Sequence, residues 1–356
     1  MSAPELALGT TADDIVGGYR QLLSKRLLVL LLLAAIIVGS LLLDFTIGPS
    51  GLTLAELWQT LLQREAADPA TAVIVWDIRL PYALIAVAAG LALGLAGAEM
   101  QTVLNNPLAS PFTLGLQQAA AFGAALALVV DLSLPGVPGG WSVAVNAFLV
   151  CLLAVWLIDT VTRVGGMSTS GVVLFGIALM FSFEALTSMM KYIADADALQ
   201  GLVLWTMGSL SRATWPKVAA LFALVAIVLP LSVSNAWRLT ALRLGEDRAA
   251  SFGINVRRLR RNALIRASLL TALTVSFVGT IGFVGLVAPH IARRLVGEDH
   301  RFYLPSSALI GAVILSLASL ASRSLIPGTI IPVGIVTALV GIPFFIAIVF
   351  RQGRLS

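Results

Sequence analysis

Charge is what this sequence has least of. Asp, Glu, Lys and Arg make up 12% of its 356 residues, while 58% are apolar. Soluble domains carry about 25% charged residues, so a soluble two-domain enzyme and a disordered chain are both excluded. Cysteine occurs once, at Cys151 inside an apolar run, which removes any intrachain disulfide and with it a disulfide scaffold. Lysine occurs only at Lys25, Lys191 and Lys217, and none follows a glycine. The Gly-Lys pair of a phosphate-binding loop is therefore missing, and the chain cannot hold ATP by that route. His290 and His300 are the only histidines. No Cys/His/carboxylate cluster has metal-ligand spacing. No catalytic set, resident metal or cofactor is expected, and the chain reads as a non-enzyme.

What is present is apolar length. A bilayer span takes roughly 20 mainly apolar residues. Residues 1–26 are polar and end in Ser24-Lys25-Arg26, and the run Leu27 to Leu43 then stops at Asp44. That run exceeds the ~7–15 apolar residues of a signal peptide and lacks an A-x-A-like site after it, so a retained first helix is expected. Further spans fall near 82–104, 113–131, 142–162, 171–192, 216–236, 263–285, 286–296, 305–322 and 331–350. The class is all-α, a polytopic membrane protein of about ten helices, since a barrel would alternate over ~10-residue segments. The organisation is a segment 1–26, a transmembrane domain 27–350 with a cytoplasmic loop 238–262, and a tail 351–356.

Basic residues orient the spans. With the N-terminus inside, sixteen of the 23 Lys and Arg fall inside and six outside. Arg266 sits near the start of a span. The basic balance thus reflects topology, and nucleic acid is not an expected partner. Both termini are expected in the cytoplasm.

Four stretches depart from plain apolar helix. Gly90, Gly94, Gly97 and Gln101 recur at helical spacing, a small-residue face that lets another backbone approach. Asn106 and Pro107, in Asn105-Asn106-Pro107-Leu108-Ala109-Ser110-Pro111, must then stop the helix, with the next one starting near Thr113. Gly279, Gly282 and Gly285 read as a second close-packing set. The connection 236–262 holds seven arginines and reads as two short helices joined at Gly253. That connection is either a solvated positive loop or, through Ala249, Ala250, Phe252 and Ile254, a surface for a partner protein. Glu99 and Asp159 read as side chains snorkelling from inner helix ends. Glu184 lies near the middle of the fifth span, on one face with Ser188 and Lys191. It is either a satisfied buried carboxylate or a cavity-lining one.

Six motifs occur in order: Arg79-Leu80-Pro81; N-P-L-A-S-P with Gln101 upstream; Trp205 with Gly208-Ser209; L-G-x-x-x-A-x-x-x-G at 244–253; G-F-V-G-L-V-x-P-H-x-x-R at 282–293; and P-V-G-I-V-T at 332–337. Together they resemble the permease subunit of bacterial ABC importers for iron–siderophores, haem and vitamin B12, over about residues 25–350. The resemblance implies a bacterial inner-membrane subunit that pairs with a second permease copy or homologue, the pathway running at the dimer interface. An ATP-binding cassette subunit would hold the ATP and Mg, and a periplasmic substrate-binding protein would deliver the cargo. Membrane lipid surrounds the assembly.

Residue by residue, Gly245, Glu246, Ala249, Ala250, Gly253 and Ile254 match the segment that meets the ATPase. Arg79 and Arg323 match positions that dock the binding protein. Gly165, Ser168 and Ser170 fall in the inner-gate segment, which by its residues alone is equally a tight turn. Glu184 and Ser188 are assigned to the path. Three departures stand out: Tyr82 replaces a second arginine, Ser319 and Ser322 occupy the region where an aspartate is common, and Ile330 replaces a glutamate. Arg64 or Lys217 are alternative docking charges. A ferric-siderophore-type chelate is the expected cargo, with haem or vitamin B12 as alternatives. An ion-coupled secondary carrier built on Glu184 is the competing class.

Overall fold

The structure is a computed structural model and describes residues 12–46, 52–164, 169–326 and 328–352. Among the described residues all regular structure is helical. Each expected span falls on a helix: α1 (Ala12–Thr46), α4 (Leu80–Val103), α5 (Leu116–Val129), α6 (Gly139–Val164), α7 (Thr169–Ile193), α9 (Trp215–Val233), α12 (Val256–Val278), α13 (Val284–Val296), α14 (His300–Ser324) and α15 (Val333–Gln352). Short helices lie between them: α2 (Leu54–Leu62), α3 (Pro69–Val73), α8 (Ala196–Thr206), α10 (Ala236–Leu242) and α11 (Glu246–Ser251). The apolar course expected from residue 82 in fact begins at Pro69, because α3 runs through a π-helical turn, Ile74–Arg79, into α4. The helix expected near Thr113 begins at Leu116, after Gly115 at φ 74°.

α4 is the axis of the bundle, packed on α14, α12, α13 and α9. Its glycine face does what its spacing implies. A Cβ on Gly90 would overlap the backbone of Gly311 and Ala312, on Gly94 the carbonyl of Ser307, and on Gly97 the carbonyl of Gly285. Helices in lipid gain little from apolar burial against one another, so this close approach supplies dispersion contacts instead. The second glycine set divides. Gly279, at φ 79°, abuts the Trp205 carbonyl, and Gly285 would carry a Cβ 3.0 Å from the Leu93 carbonyl. Gly282 has nothing within 4 Å, so the close-packing expectation fails there.

α5 and α13 have 14 and 13 residues. At 1.5 Å per residue they reach roughly 20 Å, short of a ~30 Å hydrocarbon layer. The remainder is irregular chain, which survives at membrane depth only when enclosed by protein. Two glutamines serve the region, one at the break between α12 and α13 and one in the first turn of α13. Gln117 Nε2 donates to the Ile281 carbonyl at 2.8 Å, and Gln101 Nε2 to the Leu286 carbonyl at 3.3 Å. The break after α4 is closed locally. Asn105 takes φ 44°, and Asn106 Oδ1 accepts from the Leu108 N–H at 2.9 Å.

Candidate functional site

The arginine-rich connection folds into an elbow of α10, α11 and the first turns of α12. Gly245 enters α11 at φ 110° and Gly253 leaves it at φ 76°, conformations that side-chain-bearing residues adopt with strain. The Gly253 N–H donates to the Ala250 carbonyl at 2.9 Å and the Ile254 N–H to that of Ala249 at 3.2 Å, a glycine-ended helix stop. Asn255 then caps α12, its Oδ1 accepting from the Arg258 N–H at 2.9 Å. The expected apolar surface is only half right. Ala249 and Ile254 turn inward, and the side chains left outside are Leu244, Ala250 and Phe252. The inner side of the loop packs on the protein's own helices, which takes Ala249 and Ile254 out of the exposed surface. Gly245, Glu246 and Gly253 are exposed.

Three sets of polar contacts tie the elbow to the bundle. Arg260 on α12 pairs with Glu246 and donates Nε–H to the Val103 carbonyl at 3.0 Å, where α4 ends. Arg243 reaches Glu298 at 2.8 Å and Asn105 Oδ1 at 2.9 Å, and Arg293 reaches the same Glu298 at 3.1 Å. The Arg243 hydrogen bond, with the nearby Arg293 charge, holds the Glu298 carboxyl below the usual carboxylate range. Finally, His300 Nε2 lies 2.8 Å from Thr102 Oγ1 and Nδ1 lies 3.1 Å from Thr240 Oγ1, linking α14, α4 and α10.

Glu99 does not snorkel. It is fully buried and bonded to Arg266, whose Nε lies 3.0 Å and 3.3 Å from its two oxygens. Charges within a bundle are retained when paired, and this pair fastens α12 to α4. An arginine stranded in an apolar span was the available signal for it. Asp159 meets Arg163 at 2.5 Å and lies 3.9 Å from Arg261, half-enclosed by its own helix end.

α7 has one inward face (Val172, Gly176, Phe183, Thr187) and one bare face. Glu184, Ser188 and Ser170 lie on the exposed surface with Phe181 and Met189. Glu184 has no ion-pair partner among the described residues, so the buried-and-satisfied alternative is excluded within this chain. An acidic side chain at mid-helix costs about 2.5–3.5 kcal/mol in lipid; this face suits water or another polypeptide. Gly165 and Ser168 lie outside the described residues.

At the opposite end, Arg79 is 5% exposed. Arg323 is closed into an ion pair with Asp44 of α1, its guanidinium 4.6 Å above the Tyr82 ring. Ser319 Oγ donates to Asp44 Oδ1 at 3.3 Å. The two departures Tyr82 and Ser319 thus belong to one cluster, with α1 supplying the carboxylate. Both arginines are enclosed by the chain's own residues in this structure. Arg64 is more open: its side chain is 55% exposed, lies over the Trp76 ring and pairs with Asp77 at 3.6 Å. Lys217 is half-buried and donates to the Arg212 carbonyl at 2.9 Å.

The ensemble is an all-α membrane protein: close-packed helices, charges paired inside the bundle, and a mainly apolar outer face on α7 that carries Glu184 and Ser188. The profile of the FecCD transport family matches residues 31–351. The hemin transport system permease protein HmuU of Yersinia pestis is 36% identical over 86% of this chain and 90% of its own length. The molybdate import system permease protein MolB of Haemophilus influenzae is 32% identical over 90% and 94%. A solved structure described as an inward-facing metal-chelate type ABC transporter superposes with TM-score 0.79 at 30% identity, covering 90% of this chain and 98% of that one. The chain is an ABC-importer permease and belongs to the FecCD transport family.

Proposed function

We propose that this permease carries a ferric-siderophore-type iron chelate inward across the bacterial inner membrane, with both termini in the cytoplasm. ATP and Mg are held by a partner ATP-binding cassette subunit that docks on the elbow through Gly245, Glu246, Ala250, Gly253 and the exposed Phe252, with Ala249 and Ile254 as the packed underside. A periplasmic substrate-binding protein delivers the cargo, and Arg64 is its charged contact on the outer surface. The path runs along the bare face of α7, where a second permease copy or homologue completes the wall.

The observation that carries the reading is the exposed Glu184–Ser188 face on a helix otherwise made for lipid. A wide path between two such faces suits a bulky chelate better than a bare ion. Among the described residues His290, His300 and the buried Cys151 belong to no group of three or more side chains that could hold a metal ion. The hemin and metal-chelate relatives point to the same class of cargo, while the molybdate relative marks the rival.

The test is uptake into proteoliposomes holding the permease, its ATPase and its binding protein. ATP-dependent accumulation of a ferric siderophore, exceeding that of hemin, cobalamin and molybdate, is expected. Preference for another cargo overturns the substrate assignment. Uphill uptake by the permease alone overturns the mechanism in favour of an ion-coupled carrier.

A further inference from the structure

The apolar span of α9 ends at Val233, and a cavity of about 270 Å³ opens immediately beyond it, between the α9–α10 junction and the start of α12. Asn235, Arg238, Arg258 and Asn262 give it polar walls, and Trp237 and Phe252 an apolar one. No carboxylate lines it. Arg266 reaches it too, but Glu99 already occupies that guanidinium. Arg238 uses one N–H on Asn235 Oδ1 at 3.0 Å, and neither Arg238 nor Arg258 has an acidic partner among the described residues. Arg238 and Arg258 are both exposed at the edge of this cavity, so two guanidinium groups without an acidic partner border one opening, where a single anion can accept hydrogen bonds from both.

The surroundings specify which anion. Ile227 and Leu231 are 60% and 51% exposed and stand one turn apart on one side of α9, four and eight residues before Asn235 in the order Leu231, Ile227. Asn235 Nδ2 donates to the Leu231 carbonyl at 2.8 Å, joining the apolar strip to the cavity. Trp237, 55% exposed, sits where aromatic side chains collect at the membrane–water boundary. An apolar strip that leads into a cationic cavity at headgroup level has the shape of an amphiphile. Basic cavities between membrane helices are suited to acidic headgroups.

We propose that this cavity binds the phosphate of an anionic phospholipid, whose acyl chains lie along Ile227 and Leu231. An acidic segment of a partner protein would use the arginines but would leave that strip unexplained. The assignment needs α9 to span the bilayer and the cavity to stay open on its α9 side beside an ATPase subunit docked on Phe252 and Gly253; it stands apart from the direction of transport and from the cargo.

The test is titration of the full-length permease, purified in neutral detergent, with phosphatidylglycerol, phosphatidylcholine and inorganic phosphate, read by native mass spectrometry. Phosphatidylglycerol is expected to bind more tightly than phosphatidylcholine. The pair R238Q/R258Q should weaken it about 30-fold, as expected for two headgroup-facing cations, and R238K/R258K should retain most of the affinity. Leu231→Ser should weaken phosphatidylglycerol without altering inorganic phosphate. Equal binding of the two lipids overturns the proposal, as does inorganic phosphate matching phosphatidylglycerol, which would mark a simple anion site. Loss of ATPase co-purification in R238Q/R258Q with lipid binding intact would reassign the cavity to protein docking and also overturn it.

Discussion

Arg323 on α14 and Asp44 on α1, 279 positions apart in the chain, meet as an ion pair that is almost wholly enclosed. Tyr82 lies beneath the guanidinium and Ser319 donates to the carboxylate. The cluster locks the first helix to the bundle.

Removing one charge of that pair should cost much more than removing both. Asp44→Asn leaves a buried guanidinium uncompensated, a loss of about 3–5 kcal/mol. The double variant Asp44→Asn with Arg323→Met should recover a large part of it. Thermal unfolding of the purified protein measures both, and a double variant no more stable than Asp44→Asn alone would contradict the pairing.

Alanine at glycine positions should sort by backbone proximity. Gly97→Ala drives a methyl group into the Gly285 carbonyl and should destabilise by about 1–3 kcal/mol, as overpacking does. Gly282→Ala meets nothing within 4 Å and should fall within about 0.5 kcal/mol of the parent, as substitutions away from packed features do. The ratio of folded protein recovered after graded heating checks the contrast.

The elbow depends on Gly253. Proline there cannot take φ 76° and cannot supply the N–H that bonds to Ala250. Gly253→Pro should insert and fold normally yet lose co-purification with the ATPase subunit, since only the exposed turn is altered. Undiminished recovery of the complex would remove the elbow from the docking surface.

Acid should loosen the elbow through Glu298. Its folded carboxyl is held below the usual range, first by the hydrogen bond from Arg243. On acidification the unfolded chain therefore takes up the proton first. The stabilisation is complete above the unfolded value of about 4.3 and is lost as pH falls through the depressed folded value. Glu298→Gln should flatten the pH dependence of stability below about pH 5, leaving a smaller and nearly pH-independent loss at neutrality. Melting temperatures across that range decide it.

Glu184 should matter to transport and not to folding. It is exposed and makes no ion pair among the described residues, so Glu184→Leu should preserve the melting temperature while lowering ligand-stimulated ATPase activity in the reconstituted complex. Glu184→Gln keeps a polar wall and should retain most of it. A pH-dependent loss of uptake in Glu184→Gln without any ATPase present would instead mark a proton site.

The sequence alone determined the ten helical segments, the glycine face of α4, the stop at Asn106-Pro107 and the two-helix elbow turning at Gly253. Each of these is encoded locally: by apolar length, by spacing near 3.6 residues, or by a residue whose backbone freedom is unusual. The helices that cap the bundle, α2 and α8, are too short and mixed to leave that trace. Nor does any local pattern say that Glu99 faces Arg266, that Asp44 faces Arg323, that Ala249 turns inward, or that Glu184 faces outward. Those outcomes were decided by tertiary structure, because a charged side chain in a bundle is placed by whatever partner the packing brings within hydrogen-bond reach, and that partner comes from a distant part of the chain.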